Sequence, residues 1–398
     1  MSLNLSSNGI CRKLRIALLA DFPWSFFSDG ATGRGGGQAA TWLTQLSEEF
    51  GKQDDFEIHW VSLARRDKNG GTHEWNHQYF HCIPSGRVSV DLLLGYQPAK
   101  RRLMKALGSI KPDLVHCWGS EQEYAVVCEA VKVPTVFSVQ GVLSYLERLG
   151  LLPSIWQWKK IAQWEPRFLR SAKVITAESR WAADRILEVH PQADVRQVEY
   201  GVNPSFYKVP WAPDTGEPYA IFVGAISRGK GVDVLLDALR QLEDRTWRLK
   251  MVGDGELRSA VTGSGIAGIE WLPTLKWDQL QKELAGALCL VLPTRADSSP
   301  NVVKEARVIG LPVVTTRHGG QSGYILDGIN GFIVEPLESE GLAAALSRLM
   351  NDIPLALQMG EARHEEDRDY FQPRHTAEKF LSIYRKLLEI PEPLGEMP

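Results

Sequence analysis

Short apolar runs and helix-period segments alternate along this chain, and they do so twice. In the first half, strand-like runs rich in Val, Ile and Leu fall at residues 14–21, 56–64, 79–83, 113–118, 134–140, 173–178 and 195–200. Helical spacing fills gaps at 38–50, 99–107, 121–131, 155–171 and 180–189. Residues 201–218, GVNPSFYKVPWAPDTGEP, break the pattern with proline, glycine and polar residues and read as a linker. The scheme then restarts, with strands expected at 219–225, 248–252, 268–272, 287–292, 312–316 and 331–335 and helices at 232–241, 277–285, 301–310 and 338–351. Strands separated by helices imply a parallel sheet covered on both faces. A length of 398 residues exceeds one ordinary core, so an α/β protein of two domains is expected.

Each half opens on a strand, a glycine-rich loop and a helix. The first has IALLADF followed by GRGGGQ, with Gly35, Gly36 and Gly37; the second has AIFVGAISRGKGVDVLLDAL, with Gly224, Arg228, Gly229, Lys230 and Gly231. Open α/β sheets bind ligands beyond the carboxyl ends of their strands. Lysine and arginine on a loop entering a helix suit a pyrophosphate, although neither loop carries the Walker spacing or a full dinucleotide fingerprint. The segment 287–320 adds matching chemistry: ALCLVLPTRA leads into Asp297, and SSPNVVKEARVIGLPVVTTRHGG follows. Ser298 and Ser299 are candidate helix caps, Pro300 suits the first helical position, and the N–H groups of Asn301 and Val302 then face an anion. Asp297 and Glu305 flank that helix start. Two carboxylates beside a phosphate-ready helix end suit a ligand with both hydroxyls and phosphate, as a nucleotide sugar has.

Composition excludes several classes. The net charge of −3 gives no reason to expect nucleic acid as a partner. The five cysteines have no metal-ligand spacing, and Cys117 and Cys289 sit in apolar strand patterns, as buried thiols do. The apolar run after Arg12, Lys13 and Arg15 stops at Asp21 without a cleavage site, so it reads as a buried strand. No stretch has the length of a membrane span. A cytoplasmic location is expected, with the inner face of the membrane left open. Nine of thirteen tryptophans precede residue 190, among them Trp156, Trp158 and Trp164 beside Lys159, Lys160 and Arg167. That pattern suits either peripheral membrane contact or core packing with an ordinary basic face. The Asp-x-Asp of Asp367–Asp369 lies in a charged EEDRDY run and reads as a solvated helical face rather than a metal site.

These motifs carry a resemblance. Asp297 and the run after it, SSPNVVKEARVIGLPVVTTRHGGQSGYILDGINGFIVEP, resemble the Glu-x7-Glu signature of the retaining glycosyltransferases of family four, with Asp297 at its first position. GAISRGKGVDVLLDAL resembles that family's donor-phosphate loop. WEPRFLRSAKVITAESRWAADRI, VEYGVNPSFY and the last helix resemble its other landmarks. The resemblance implies two facing Rossmann-like domains with a deep interdomain cleft, the B-type glycosyltransferase fold. It divides the chain into an acceptor-binding domain at 1–205, a donor-binding domain at 206–370, and a helix at 371–398 crossing back to the first. The implied activity is retaining, metal-independent transfer from a nucleotide sugar, such as a UDP- or GDP-sugar, to a glycan, lipid-linked or small-molecule acceptor. No cofactor is implied.

Carried over by residue, the resemblance makes Glu305 the partner of the donor ribose hydroxyls and Asp297 a reader of the transferred sugar. Lys230, with Arg228, binds the donor phosphates beside Gly224, Ser298, Ser299 and the amides of Asn301 and Val302. Gly36 and Gly37 match the family's N-terminal glycine pair. Ala225 stands where the family usually has arginine, and Trp118 and Gln140 stand where histidine is common. Both can donate hydrogen bonds, but neither can act as acid or base. His116 reads as a satisfied core histidine. A sugar-nucleotide epimerase and a catalytically weak nucleotide-sugar binder are the alternative readings.

Overall fold

The computed structural model describes residues 4–5, 11–24, 27, 41–64 and 71–391. The chain divides into two compact units, one formed by Met1–Glu178, Ala183–Glu199 and Pro373–Pro398, the other by Ser179–Ala182 and Tyr200–Gln372. Each unit is built on its own sheet.

The first sheet contains β1 (Leu14–Leu19), β2 (Phe56–Ala64), β3 (Gly71–Trp75), β4 (Gln78–Pro84), β5 (Leu114–Trp118), β6 (Thr135–Val139), β7 (Val174–Ala177) and β8 (Val195–Gln197). Their order across the sheet is 8-7-6-5-1-2-4-3. Every pairing is parallel except β3 with β4, a hairpin at the edge. The central strands are buried along their length, as near-continuous apolar runs require when helices cover both faces. The edge strand β3 was not expected from the sequence. Its GTHEW is polar and almost wholly exposed, so it carries no apolar alternation. Residues 121–131 were expected to be helical; the structure has only a single 3-10 turn at Tyr124–Val127 there.

The last helix, Pro373–Leu387, belongs to the first unit. Its Phe380 and Tyr384 are fully buried against β5, where His116 sits without exposed surface. The two ring nitrogens of His116 are both bonded, Nδ1 to the Tyr384 hydroxyl and Nε2 to Ser138 Oγ, each at 2.6 Å. Burial pushes its pKa well below the ordinary value, so the imidazole is neutral and structural.

The second sheet contains β9 (Tyr219–Val223), β10 (Arg248–Val252), β11 (Ile269–Leu272), β12 (Cys289–Leu292), β13 (Val313–Thr316) and β14 (Gly331–Val334). All are parallel, in the order 11-10-9-12-13-14. This is the doubly wound order that reverses between its first and fourth strands, here β9 and β12. The loops leaving those two strands meet at that switch point. Both glycine-loop chemistry and the 287–320 segment map onto that point.

Candidate donor site in the second unit

The loop after β9 is held by backbone contacts that exclude side chains. Gly224 has φ +151°, and a Cβ on the facing Gly253 would fall on the Gly224 carbonyl. Gly231, φ +73°, precedes the helix Val232–Arg240, and a Cβ there would fall on the Pro293 carbonyl just beyond β12. The two loops are thus pressed together where only glycine fits. Arg295 fastens them. Its amide donates to the Gly229 carbonyl at 2.9 Å, and its guanidinium donates twice to Asp233, at 2.7 and 2.8 Å, and to the Arg228 carbonyl. Burial acts to raise the Asp233 pKa, but these bonds outweigh it and hold the carboxyl below its ordinary range. Arg295 was not singled out in the sequence; nothing in local spacing marks its pairing with a residue 62 positions earlier.

Lys230 projects from the first loop and Asp297 from the second, and their side chains meet in a direct ion pair. Asp297 also accepts a 3.3 Å bond from the Ser299 amide, while its carbonyl accepts from the Gly320 amide at 2.8 Å. The structure thus brings the expected phosphate ligand and the expected sugar reader together as a mutual pair. Arg228 is placed differently. Its side chain is 70% exposed and its guanidinium lies 3.8 Å from Asp233.

The helix Asn301–Ile309 starts uncapped, although not in the way its sequence suggests. Pro300 is the cap residue itself, and no side chain caps the helix. The expected serine caps are a misreading. Ser299 Oγ instead shares a 2.9 Å hydrogen bond with the Tyr324 hydroxyl, and Ser298 is buried. The early N–H groups, including those of Asn301 and Val302, therefore have no serine hydroxyl over them. Glu305 sits one turn on. Its carboxyl has no hydrogen bond to another described residue, and burial raises its pKa to about 7, with the charge of Lys304 opposing. Lys304 itself is buried and donates to the Tyr200 carbonyl at 3.1 Å. Trp271, in β11, donates to the Gly253 carbonyl at 2.9 Å and lies under Arg258.

The EEDRDY run is a largely exposed face with one buried member. Asp367 is buried and bonds Arg307 Nε at 2.7 Å, while Arg307 also reaches the carbonyls of Leu311 and Ala362 at 2.9 and 2.6 Å. A buried guanidinium on the inner side of the helix requires such a partner. Among the described residues no group of three or more His, Cys, Asp or Glu could hold a metal ion.

In the first unit, Gly36 and Gly37 lie outside the described residues. Trp118 is 2% exposed and stacks on His116 with ring centroids 3.5 Å apart, among Trp42, Trp60 and Phe380. It is a core residue here, because the ring is enclosed by aromatic neighbours rather than turned to the end of the strand. Gln140 keeps part of its surface at the end of β6. Beside it lies Glu121, which the sequence had marked only as the start of a helix. Its carboxyl oxygens lie over Gly119 and Gly141, where a Cβ would approach them within 2.9 and 3.1 Å. Burial raises its pKa to about 7, with a smaller contribution from Glu165.

Models of two families match the chain, Glycosyltransferase Family 4 over residues 35–206 and Glycosyl transferases group 1 over residues 217–352. The chain belongs to glycosyltransferase family four. The sulfoquinovosyl transferase of Arabidopsis thaliana is 27% identical over 304 residues, covering 71% of this chain and 58% of that protein. The family fold is shared by solved structures at lower identity. A sucrose-phosphate synthase from Thermosynechococcus elongatus superposes with a TM-score of 0.76 at 17% identity, over 95% of this chain and 100% of that one. Anabaena HepE in complex with UDP-glucose gives 0.66 at 15% identity, over 94% and 100%. The chain spans about half the length of the curated relatives it matches first. Two parallel-sheet α/β domains with these neighbours make the architecture the B-type glycosyltransferase fold. No helix among the described residues is long and apolar enough to cross a membrane.

Proposed function

We propose that this family-four chain transfers a sugar from a nucleotide diphosphate sugar to an acceptor hydroxyl, with retention of anomeric configuration and without a metal. The observation that carries the reading is the Lys230–Asp297 pair between the loops after β9 and β12, just ahead of the uncapped start of the helix that carries Glu305. Each part answers one part of such a donor. Lys230 and the helix amides take the diphosphate, and the exposed Arg228 swings in beside them. Glu305 accepts hydrogen bonds from the ribose hydroxyls, and Asp297, released as Lys230 turns to phosphate, accepts from the sugar. The rate comes from fixed positive charge facing the leaving phosphate. With no certain nucleophile in the sequence, departure of the phosphate and attack by the acceptor occur on one face, the phosphate taking the acceptor proton.

The UDP-glucose complex of a neighbour of the same fold supports a UDP-sugar as the first donor to test. The acceptor is a glycan, lipid-linked sugar or small molecule bound by the first unit. Exposed Leu93, Leu94, Ile155 and Trp156 beside exposed Lys159 and Lys160 support peripheral membrane contact, which sedimentation with anionic vesicles tests; no co-sedimentation removes it. A panel of UDP- and GDP-sugars screened for thermal stabilisation tests the donor reading, and absence of any shift overturns it. Donor turnover without acceptor would instead identify an epimerase, and stabilisation without turnover a nucleotide-sugar binder.

A further inference from the structure

Asp233, the second residue of the helix Val232–Arg240, stands between two arginines. Arg295 donates to both of its oxygens, at 2.7 and 2.8 Å. The guanidinium of Arg228 stops 3.8 Å from the same carboxylate, beyond hydrogen-bond reach. A planar fork matched to both carboxylate oxygens is the stronger arrangement, so Asp233 is occupied by Arg295. Glu256, another carboxylate beside this loop, accepts from the Arg228 backbone amide at 3.1 Å. The Arg228 guanidinium itself makes no hydrogen bond to a described residue.

The two loops stay joined by bonds that need no guanidinium, since the Arg295 amide and Thr294 Oγ1 both donate to the Gly229 carbonyl, at 2.9 and 3.1 Å. What the Arg295 side chain adds is the placement of charge. Arg228, Lys230 and Arg295 face Asp233 and Asp297, three cations to two carboxylates, so one positive charge is left over. Arg295 covers Asp233 and Lys230 pairs with Asp297, so the surplus falls on Arg228, the most exposed of the three. Without the Arg295 guanidinium, an uncovered Asp233 would draw Arg228 across the remaining 3.8 Å.

We propose that Arg295 is a positioning residue for diphosphate binding: by occupying both oxygens of Asp233, it leaves Arg228 available to the donor phosphates. This role presupposes the donor reading above, in which Arg228 joins Lys230 at the phosphates. Arg295 acts through Arg228, by keeping the one competing carboxylate of the helix start away from it.

The test is calorimetric titration of UDP into the full chain at one fixed ionic strength. Arg228→Ala should weaken binding about tenfold, the scale of one charge-assisted hydrogen bond. Arg295→Gln should weaken it about as much, and adding Arg228→Ala to that variant should cost little more, because Asp233 already holds the arginine. Asp233→Asn added to Arg295→Gln should restore binding to within about twofold of wild type, and with it the cost of Arg228→Ala. A residue that only stiffened the loops would give neither the lost sensitivity to Arg228→Ala nor the rescue. Wild-type affinity in Arg295→Gln, no effect of Arg228→Ala, or additive costs of the two substitutions overturns the role and leaves the donor reading standing. Failure of the wild-type chain to bind either UDP or GDP overturns both. Should Arg295→Gln fail to fold, Asp233→Asn alone decides. The uncovered Arg295 charge should then tighten UDP binding roughly threefold, and unchanged or weaker binding overturns the role.

Discussion

The carboxyl ends of the two sheets are built on one plan and equipped with opposite chemistry. Above β9 and β12 the second unit sets a lysine, its partner Asp297 and an uncapped helix start around one acid, Glu305. Above β5 and β6 the first unit sets Glu121 over two glycines beside Gln140, with Glu165 near enough to raise its pKa further. Two acids with similar raised pKa values thus stand in different company. On the proposed reading Glu305 belongs to a rim that takes an anion with hydroxyls attached, whereas Glu121 stands among glycines, Gln140 and a second acid. The sheet supplies the place, and the loop residues decide what is bound there.

The largest expected effect separates the rims by charge. Lys230→Ala should lower turnover about 10²- to 10³-fold, as loss of one fixed donor to a developing charge does. Equal turnover in the variant would remove Lys230 from the leaving-group role. Next, Glu305→Ala should weaken donor binding about a hundredfold, the scale of two charge-assisted hydrogen bonds. Its raised pKa gives a sign. Only the ionised form accepts from both ribose hydroxyls, so donor affinity should climb as pH rises through about 7, with proton release. Affinity measured by calorimetry from about two pH units below that value to two above checks this, and Glu305→Gln should flatten the profile.

A smaller effect is expected at Asp297. Asp297→Asn frees Lys230, so UDP alone should bind equally well or a few-fold tighter, while discrimination among UDP-sugars declines. Weaker UDP binding would mean that Asp297 positions Lys230 instead of competing for it. The smallest effect sharpens the other rim. Glu121 titrates higher in the native state than unfolded, so the native carboxyl keeps its proton where the unfolded one has lost it. Stability is therefore lost as pH rises from the ordinary glutamate range to about 7, where the native carboxyl ionises. Glu121→Gln should raise the melting temperature above that pH, change it little in the ordinary glutamate range, and leave donor affinity alone. A loss of donor binding would overturn that separation of roles.

Much of the framework was legible because buried parallel strands write themselves as unbroken apolar runs. The expected strands at 56–64 and 248–252 match β2 and β10 residue for residue, and 232–241 matches its helix within one position. Elsewhere local pattern failed for physical reasons. β3 is held by its hairpin partner and not by burial, so its residues are free to be polar. The serine caps at Ser298 and Ser299 suited any helix start, but Tyr324, 25 residues beyond Ser299, shares a hydrogen bond with that hydroxyl. Trp118 was a candidate because the resemblance puts histidine there, yet Phe380 of the helix Pro373–Leu387 packs over it. Asp367 looked solvated because its neighbours are charged, yet Arg307, 60 residues away, needs it.

The sequence alone determined the alternation, the position of the glycine loops and the family, since periodicity and local motif are properties of neighbouring residues. Only the tertiary structure decided that Lys230 meets Asp297, that Arg295 ties the two loops, and that Glu121 stands at the other rim. Those contacts depend on which strands lie side by side, and strand order comes from the packing of the whole sheet.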